Sequence, residues 1–416
     1  MAWWLLLATG WTVAIVWAVS TVRTVRFLHG SRLVDRAGAT PDPPMWPRVS
    51  VVVPARDEAK RIEEALRSLV NLDYPAFEVI AVDDRSTDAT GAIMDRFAAE
   101  EPRVRPLHIA ALPEGWLGKC HAMQAGARLA GGELLLFTDG DVVFAPGALP
   151  RALAHARALG VGHLVAVPRF VAPGLWERAF VTFFAALGST AFRVFELSRP
   201  GTRGFVGVGA FNLVRRDAYR SVGGHERLAL EVVDDVKLGL LLRRSGVPQA
   251  AVQSAGLVAV RWQHGFFPSV LGLVKNAFAA TEYRPLVAAA AAGGLAFLGV
   301  APIAASLLAP GAPARALGLA GLALGAGVHG AVARRTAGAS GLEGALFPAC
   351  ALLLAGVLVA SVVTASLRGA VVWRGTRYPL DRLRAGCLRM ARLPASGAPG
   401  WTAAPAQDAT VADPLP

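Results

Sequence analysis

Cysteine is nearly absent from this chain: there are three in 416 residues, Cys120, Cys350 and Cys387, and no CxxC pair among them. An odd, scattered set argues against a disulfide framework or a cysteine zinc site and fits a reducing compartment. Acid is also in short supply, 30 Asp and Glu against 42 Lys and Arg, for a net charge of +12. No GxxxxGK[ST] segment occurs, so phosphoryl transfer of the P-loop type lacks its motif. Charge of both signs makes up only 17% of the residues, whereas 54% are apolar, more than a soluble domain usually carries. The apolar excess lies at the two ends of the chain, around a more polar middle.

The first 20 residues, MAWWLLLATGWTVAIVWAVS, are uncharged and about long enough to cross a bilayer as a helix. Arg23, Arg26, Arg32 and Arg36 follow this run and none precedes it, which favours an anchor over a cleaved signal peptide. By the positive-inside rule the middle of the chain then faces the cytoplasm. Three further apolar stretches, near 286–309, 315–333 and 344–366, are rich in Ala, Gly and Leu, residues that let helices pack closely in lipid. Three full crossings would put the basic tail (Arg368, Arg374, Arg377, Arg382, Arg384) outside, so the glycine-rich middle stretch is expected to be re-entrant or interfacial. The basic excess sits partly beside these stretches, which points to lipid headgroups and away from nucleic acid. The expected organisation is a membrane anchor at 1–22, a cytosolic domain at 45–280, membrane helices at 284–368, and a tail at 369–416, basic and then disordered. The whole is a multi-pass inner (cytoplasmic) membrane protein.

The middle alternates strand and helix. VSVVV (49–53) and FEVIAVDD (77–84) are buried-strand runs. RIEEALRSLVNL (61–72) places Ile62, Ala65, Leu66 and Leu69 on one helical face. STDATGAIMDRFAA predicts a second helix capped by Ser86 or Thr87, RVRPLHI a third strand, and GWLGKCHAMQAGARLA a third helix. This alternation is that of a parallel α/β sheet, whose ligands sit beyond the carboxyl ends of its strands. Three polar groups fall at such ends: Pro54 to Glu58, Asp83 with Asp84, and Asp139 with Asp141.

The last group stands in LLLFTDGDVVF (134–144), two carboxylates between apolar runs. Buried carboxylates need a cation, so something positive belongs beside them. An Asp-x-Asp at a strand end can hold a hard divalent cation and leave positions for phosphate oxygens; a plain Asp-Gly turn is the alternative. Asp83 and Asp84 either cap a helix or bond a nucleoside, and Lys119 either meets a diphosphate or is a surface lysine.

Six segments, VSVVVPARDEA, EVIAVDDRSTDAT, LGKCHAMQAG, LLLFTDGDV, GVGAFNLVRRDAYRSVGG and EVVDDVKLGLLLRRSG, occur in that order between about Val49 and Asn276. Together they resemble the family-2 glycosyltransferases, membrane-associated enzymes with a Rossmann-like GT-A fold. The resemblance implies that Asp139 and Asp141 (the DXD motif) organise Mg²⁺ or Mn²⁺ on the diphosphate of a nucleotide-sugar. It places Asp83 and Asp84 at the nucleoside, with Pro54, Arg56, Glu58 and Lys119 nearby. The family's late Glu-Asp pair falls on Asp234 and Asp235, so Asp235 aligns as catalytic base with Asp234 as its neighbour. Adjacent like charges leave the choice between them open. Processive members carry Gln-x-x-Arg-Trp, where this chain has Arg261-Trp262-Gln263-His264, which favours addition of one sugar to one acceptor. FPSVLGLVKNAFA and VVWRGTRYPL look like non-processive members associated with hopanoid and carotenoid lipids.

The implied reaction is an inverting, metal-dependent transfer of a single sugar, UDP-linked by family default, to a lipid hydroxyl. Gly207, Gly209, Arg261 and Trp262 are expected to border the acceptor, and Trp176, Phe183 and Phe184 to face the membrane surface. Three other functions remain open: a transferase acting on polyprenyl phosphate in envelope glycan assembly, a non-catalytic sensor that binds nucleotide-sugars, and a transporter, against which the long polar middle argues.

Overall fold

The computed structural model describes residues 46–197, 203–254 and 256–390, helix residues 18–26, and positions 8, 11, 12 and 15 before them. Most of the expected anchor, and the tail from 391, lie outside the described residues. Of the N-terminal helix, Ala18, Thr21 and Thr24 are buried, and Val25 packs with Ala186 and Val332.

The α/β domain begins with β1 (Val49–Ala55), α1 (Ile62–Val70), β2 (Phe77–Asp84), α2 (Thr90–Glu100), β3 (Val104–Ile109), α3 (Gly118–Leu129) and β4 (Leu134–Phe137). Every residue of β1 and β2 is buried, as their mostly apolar runs require of strands covered on both faces. The face of α1 that is buried is Ile62, Ala65, Leu66 and Leu69, the face its spacing predicts. Neither Ser86 nor Thr87 caps α2. That helix starts at Thr90, whose backbone N–H donates to Asp88, while Ser86 accepts from the Asp57 N–H.

The chain continues through β5 (Val142–Phe144), α4 (Ala148–Ala158), β6 (His163–Val167), β7 (Arg169–Phe170), α5 (Leu175–Ala191), β8 (Asn212–Arg215), α6 (Arg216–Ser221), α7 (Asp234–Arg244), β9 (Gln249–Gln253) and β10 (Val258–Val260). The main sheet has the order β3-β2-β1-β4-β8-β6-β9. It is mixed, which corrects the expectation of a parallel sheet: β8 runs antiparallel to both β4 and β6. Between β7 and β8 the chain runs through α5, which packs against the apolar helices of the C-terminal half. A second, three-stranded sheet has the order β5-β10-β7. LLLFTDGDVVF is therefore two strands in two sheets, with Thr138 to Asp141 in the break between them.

The apolar layer is α8 (Phe266–Ala280), α9 (Pro285–Leu308), α10 (Ala312–Ala337) and α11 (Phe347–Arg368). Three of its helices are long and apolar enough to cross a membrane. The middle stretch, expected to be re-entrant or interfacial, is one unbroken 26-residue helix, α10. Phe183 is fully buried between His329 and Phe347 rather than facing outward, whereas Trp176 and Phe184 are partly exposed. After α11, a hairpin of β11 (Ala370–Trp373) and β12 (Thr376–Pro379) and a short α12 (Leu380–Gly386) turn back onto the α/β domain.

Candidate active site

Strands β1, β2 and β4 are parallel, so the loops that leave their carboxyl ends share one edge of the sheet. Pro54 stands two residues past Val52, the last β1 residue paired with β4, where its missing N–H costs the ladder nothing. Asp83 accepts from Ser86 N–H at 3.0 Å and meets His108 Nδ1 at 3.2 Å. Asp84 is gripped by Arg85 through two hydrogen bonds, of 2.8 and 3.1 Å.

The two aspartates of the TDGD turn each have a cation. Lys119 Nζ lies 2.7 Å from Asp139 Oδ1, and Arg61 Nη1 donates to Asp141 Oδ2 at 2.9 Å. Lys119 stands in the first turn of α3, where the helix dipole disfavours a positive charge. Burial also opposes that charge, but Asp139, Asp234 and Asp235 outweigh it and hold the ammonium well above its ordinary pKa. Lys119 reaches Asp234 Oδ1 at 3.6 Å as well, and so joins the TDGD turn to the start of α7.

Asp234 and Asp235 open α7 and behave differently. Burial raises Asp234, but Lys119 and His225, whose Nε2 lies 3.7 Å away, bring its pKa below the carboxylate norm. Burial and then the Asp234 charge push Asp235 up to about 6, against Lys119 and a hydrogen bond from Val236 N–H. Burial and then Asp139 push Asp141 up to about 7, with Arg61 opposing.

Two glycines let these parts meet. A Cβ on Gly209 would lie 2.6 Å from Asp139 Oδ2, and one on Gly207 would lie 1.8 Å from the Asp235 carbonyl oxygen. Both expected acceptor glycines thus stand against the acid cluster. Arg261 follows Val260, the β10 residue paired with Val142, and so lies near Asp141 in sequence register. Among the described residues the buried Nε atoms of Arg56 and Arg261 have no hydrogen-bond partner, the carboxylate of Asp57 lying 3.9 Å from that of Arg56. Trp262 stacks on Phe184 of α5, 5.5 Å between centroids and 4° between planes, so it belongs to the contact with the apolar layer.

Glu58 lies 3.7 Å from Arg61 and also accepts from Arg374, at the tip of the β11–β12 hairpin. Arg61, Arg85, His225 and Arg374 were not singled out for the site from the sequence. Arg61 alone left a trace, a position three residues after Glu58 at the head of a helix; the Arg374 contact spans 316 residues.

Residues 50–223 match the family model of glycosyl transferase family 2. The α/β domain belongs to that family. The 4,4'-diaponeurosporenoate glycosyltransferase of Staphylococcus aureus (strain MRSA252) is 26% identical over 220 residues, 52% of this chain and 57% of the relative. The protein of the same name from Staphylococcus haemolyticus (strain JCSC1435) is 26% identical over 245 residues, 57% of this chain and 63% of the relative. The match thus spans less than two thirds of either relative. Among solved structures, a mannosyltransferase from Pyrobaculum calidifontis in complex with GDP-Man and Mn²⁺ superposes with a TM-score of 0.52 at 22% identity. It covers 88% of this chain and 98% of its own, and establishes the GT-A fold of the domain.

Proposed function

We propose that this chain transfers a single sugar from a nucleotide-sugar to the hydroxyl of a membrane lipid, with inversion. The observation that carries the reading is Lys119, which ties Asp139 of the TDGD turn to Asp234, beside Asp235, in one ion-paired cluster. Asp235 is the base: its neighbour Asp234 is held ionised by Lys119 and His225, while Asp235 is pushed up to about 6 and, among the described residues, accepts a local backbone N–H alone. Asp235 takes the proton of the acceptor hydroxyl as that oxygen bonds to the anomeric carbon. The bond from that carbon to the diphosphate breaks on the opposite face, and the nucleoside diphosphate departs.

Asp139 and Asp141 would hold Mg²⁺ or Mn²⁺. Hard oxygen donors suit either ion, and the raised Asp141 carboxyl marks a pair of like charges that a cation would relieve. Among the described residues no group of three or more His, Cys, Asp or Glu is arranged around a metal, so phosphate and water oxygens would complete the shell. The cation, when bound, neutralises charge on the departing diphosphate. Asp83 and Asp84 face the nucleoside, with Pro54, Arg56 and Glu58 beside them. Gly207, Gly209, Arg261 and Trp262 border the acceptor. The orphaned Nε atoms of Arg56 and Arg261 are groups that an anionic ligand would satisfy.

The lipid acceptor is supported by three helices of membrane-crossing length and by relatives named for glycosylating diaponeurosporenoate. In this reading residues 284–368 lie in the inner membrane and 45–280 face the cytoplasm. The test is nucleoside diphosphate release from a panel of sugar nucleotides, with membrane lipid extract and Mn²⁺ or Mg²⁺. Release that needs lipid and metal, and that Asp139→Ala and Asp235→Asn both abolish, is expected. No release from any donor would replace this reading with that of a non-catalytic nucleotide-sugar-binding protein.

A further inference from the structure

The β11–β12 hairpin follows the last apolar helix, yet its tip touches the acid cluster. Arg374 and Gly375 both take positive φ, 47° and 76°, in the two-residue turn that pairs Trp373 with Thr376. Glycine suits such a position, whereas arginine there is strained and must be held by its surroundings. The feet of the segment supply that hold. Tyr378, Leu380 and Leu383 are buried in the same apolar cluster as α8, α9 and α11. Beyond α12, the Leu388 carbonyl accepts from the buried Lys237, Leu388 N–H donates to Glu231, and Met390 N–H donates to Glu282.

At the tip, Arg374 donates to Glu58, Glu58 lies 3.7 Å from Arg61, and Arg61 lies 2.9 Å from Asp141. Charges alternate along this row from the TDGD turn to the hairpin. Lys275 of α8 lies with its Nζ 4.9 Å from the centroid of the Trp373 ring, and no carboxylate pairs with it among the described residues. Burial lowers the Lys275 pKa, and the nearby charges of Arg374 and Lys119 lower it further. Arg374 and Lys275 thus stand together at the edge of the cluster, where Glu58 is shared between Arg374 and Arg61 and Lys275 has no carboxylate to pair with among the described residues. This edge can take an anion.

We infer that the hairpin is part of the donor site, and that Arg374, with Lys275 beside it, binds the diphosphate of the nucleotide. This rests on the donor reading above. A guanidinium has five N–H donors in a rigid fork, enough to keep Glu58 and take phosphate oxygens at once. Placed so, it would meet the negative charge that grows on the diphosphate as the sugar leaves.

The test is equilibrium binding of UDP, GDP, ADP and CDP, each with Mn²⁺, to the full chain in detergent, with the corresponding monophosphates alongside. Arg374→Ala should raise the dissociation constant of the preferred diphosphate roughly tenfold or more and that of its monophosphate by no more than about twofold. Arg374→Lys, which keeps the charge and loses the fork, should fall between. Arg382→Ala removes an exposed pair with Glu114 on the same segment and should bind as the parent does. Unchanged diphosphate binding in Arg374→Ala, or equal weakening of both nucleotide classes, would overturn the inference and leave the donor reading standing. A parent chain that binds none of the nucleotides would remove the donor reading, and this inference with it.

Discussion

Asp234 and Asp235 are neighbours in sequence with opposite pKa shifts, and the difference sets the pH dependence of the proposed reaction. Asp235 is active as the carboxylate and has a pKa of about 6, so kcat should rise with pH through that value and level above it. Below it kcat should drop about tenfold per pH unit, a slope read from initial rates at saturating donor. Asp235→Asn should lower kcat by about 10²-fold or more and remove the inflection. Gly209 sets a second test. An alanine there brings a Cβ within 2.6 Å of Asp139 Oδ2, so Gly209→Ala should raise the Mn²⁺ concentration for half-maximal activity roughly tenfold. Gly293 has open space around its Cβ position, and Gly293→Ala should leave that titration unchanged. At this scale the sequence was legible where charge demanded an answer. Two carboxylates in an apolar run required cations, and Lys119 was already in view. Arg61 was not, because nothing local to Glu58 shows that the head of α1 meets a turn 80 residues later.

Among the elements, those with strong periodicity were the ones that could be read. The first three strands and helices follow from their apolar spacing because each buries a face against its sequence neighbour. β8 could not be read in the same way. It follows α5, whose apolar residues pack on a helical layer far along the chain, so no local pattern announces its direction. The end of the chain gives the clearest element-scale prediction. Lys237 is fully buried, 3.3 Å from Glu282, and close enough to Glu231 to offset in part the burial that raises that carboxyl. Removing the ammonium leaves two buried carboxyls without a cation, which costs about 3–5 kcal/mol when one partner of a buried pair is lost. Lys237→Met should therefore lower the thermal unfolding midpoint by several degrees, and Lys237→Met with Glu282→Gln should recover part of the loss. Equal midpoints for the parent and the single variant would show that the buried charge contributes nothing to the docking of 388–390.

The same contacts constrain how the whole chain meets a membrane. Leu286, Leu307, Leu308 and Leu367 are 86%, 67%, 66% and 83% exposed, an apolar surface suited to lipid. Glu282 stands just before α9, and Met390, after α11, donates a hydrogen bond to it. Entry and exit of the 285–368 segment are therefore on one side, and under the proposed membrane reading the segment crosses an even number of times. α9 and α10 form an antiparallel pair joined by residues 309–311, which under that reading supplies two crossings. α11 starts beside Gly299, part-way along α9, has its Ser361 bonded to the Phe278 N–H of α8, and ends in the hairpin at Glu58, so its end alone belongs to the domain side. Charge alone made the glycine-rich α10 the exception; under the same membrane reading an even count makes it α11, whose start lies part-way along α9, since glycine content records close packing and does not say where a helix ends. Single cysteines at Lys60, Ala312 and Asp381, all exposed, test this in sealed vesicles with an impermeant maleimide, because the native Cys120, Cys350 and Cys387 are buried. Lys60→Cys and Asp381→Cys should react from one side and Ala312→Cys from the other; reaction of Asp381→Cys from the opposite side to Lys60→Cys would mean an odd number of crossings and a hairpin that cannot reach the site.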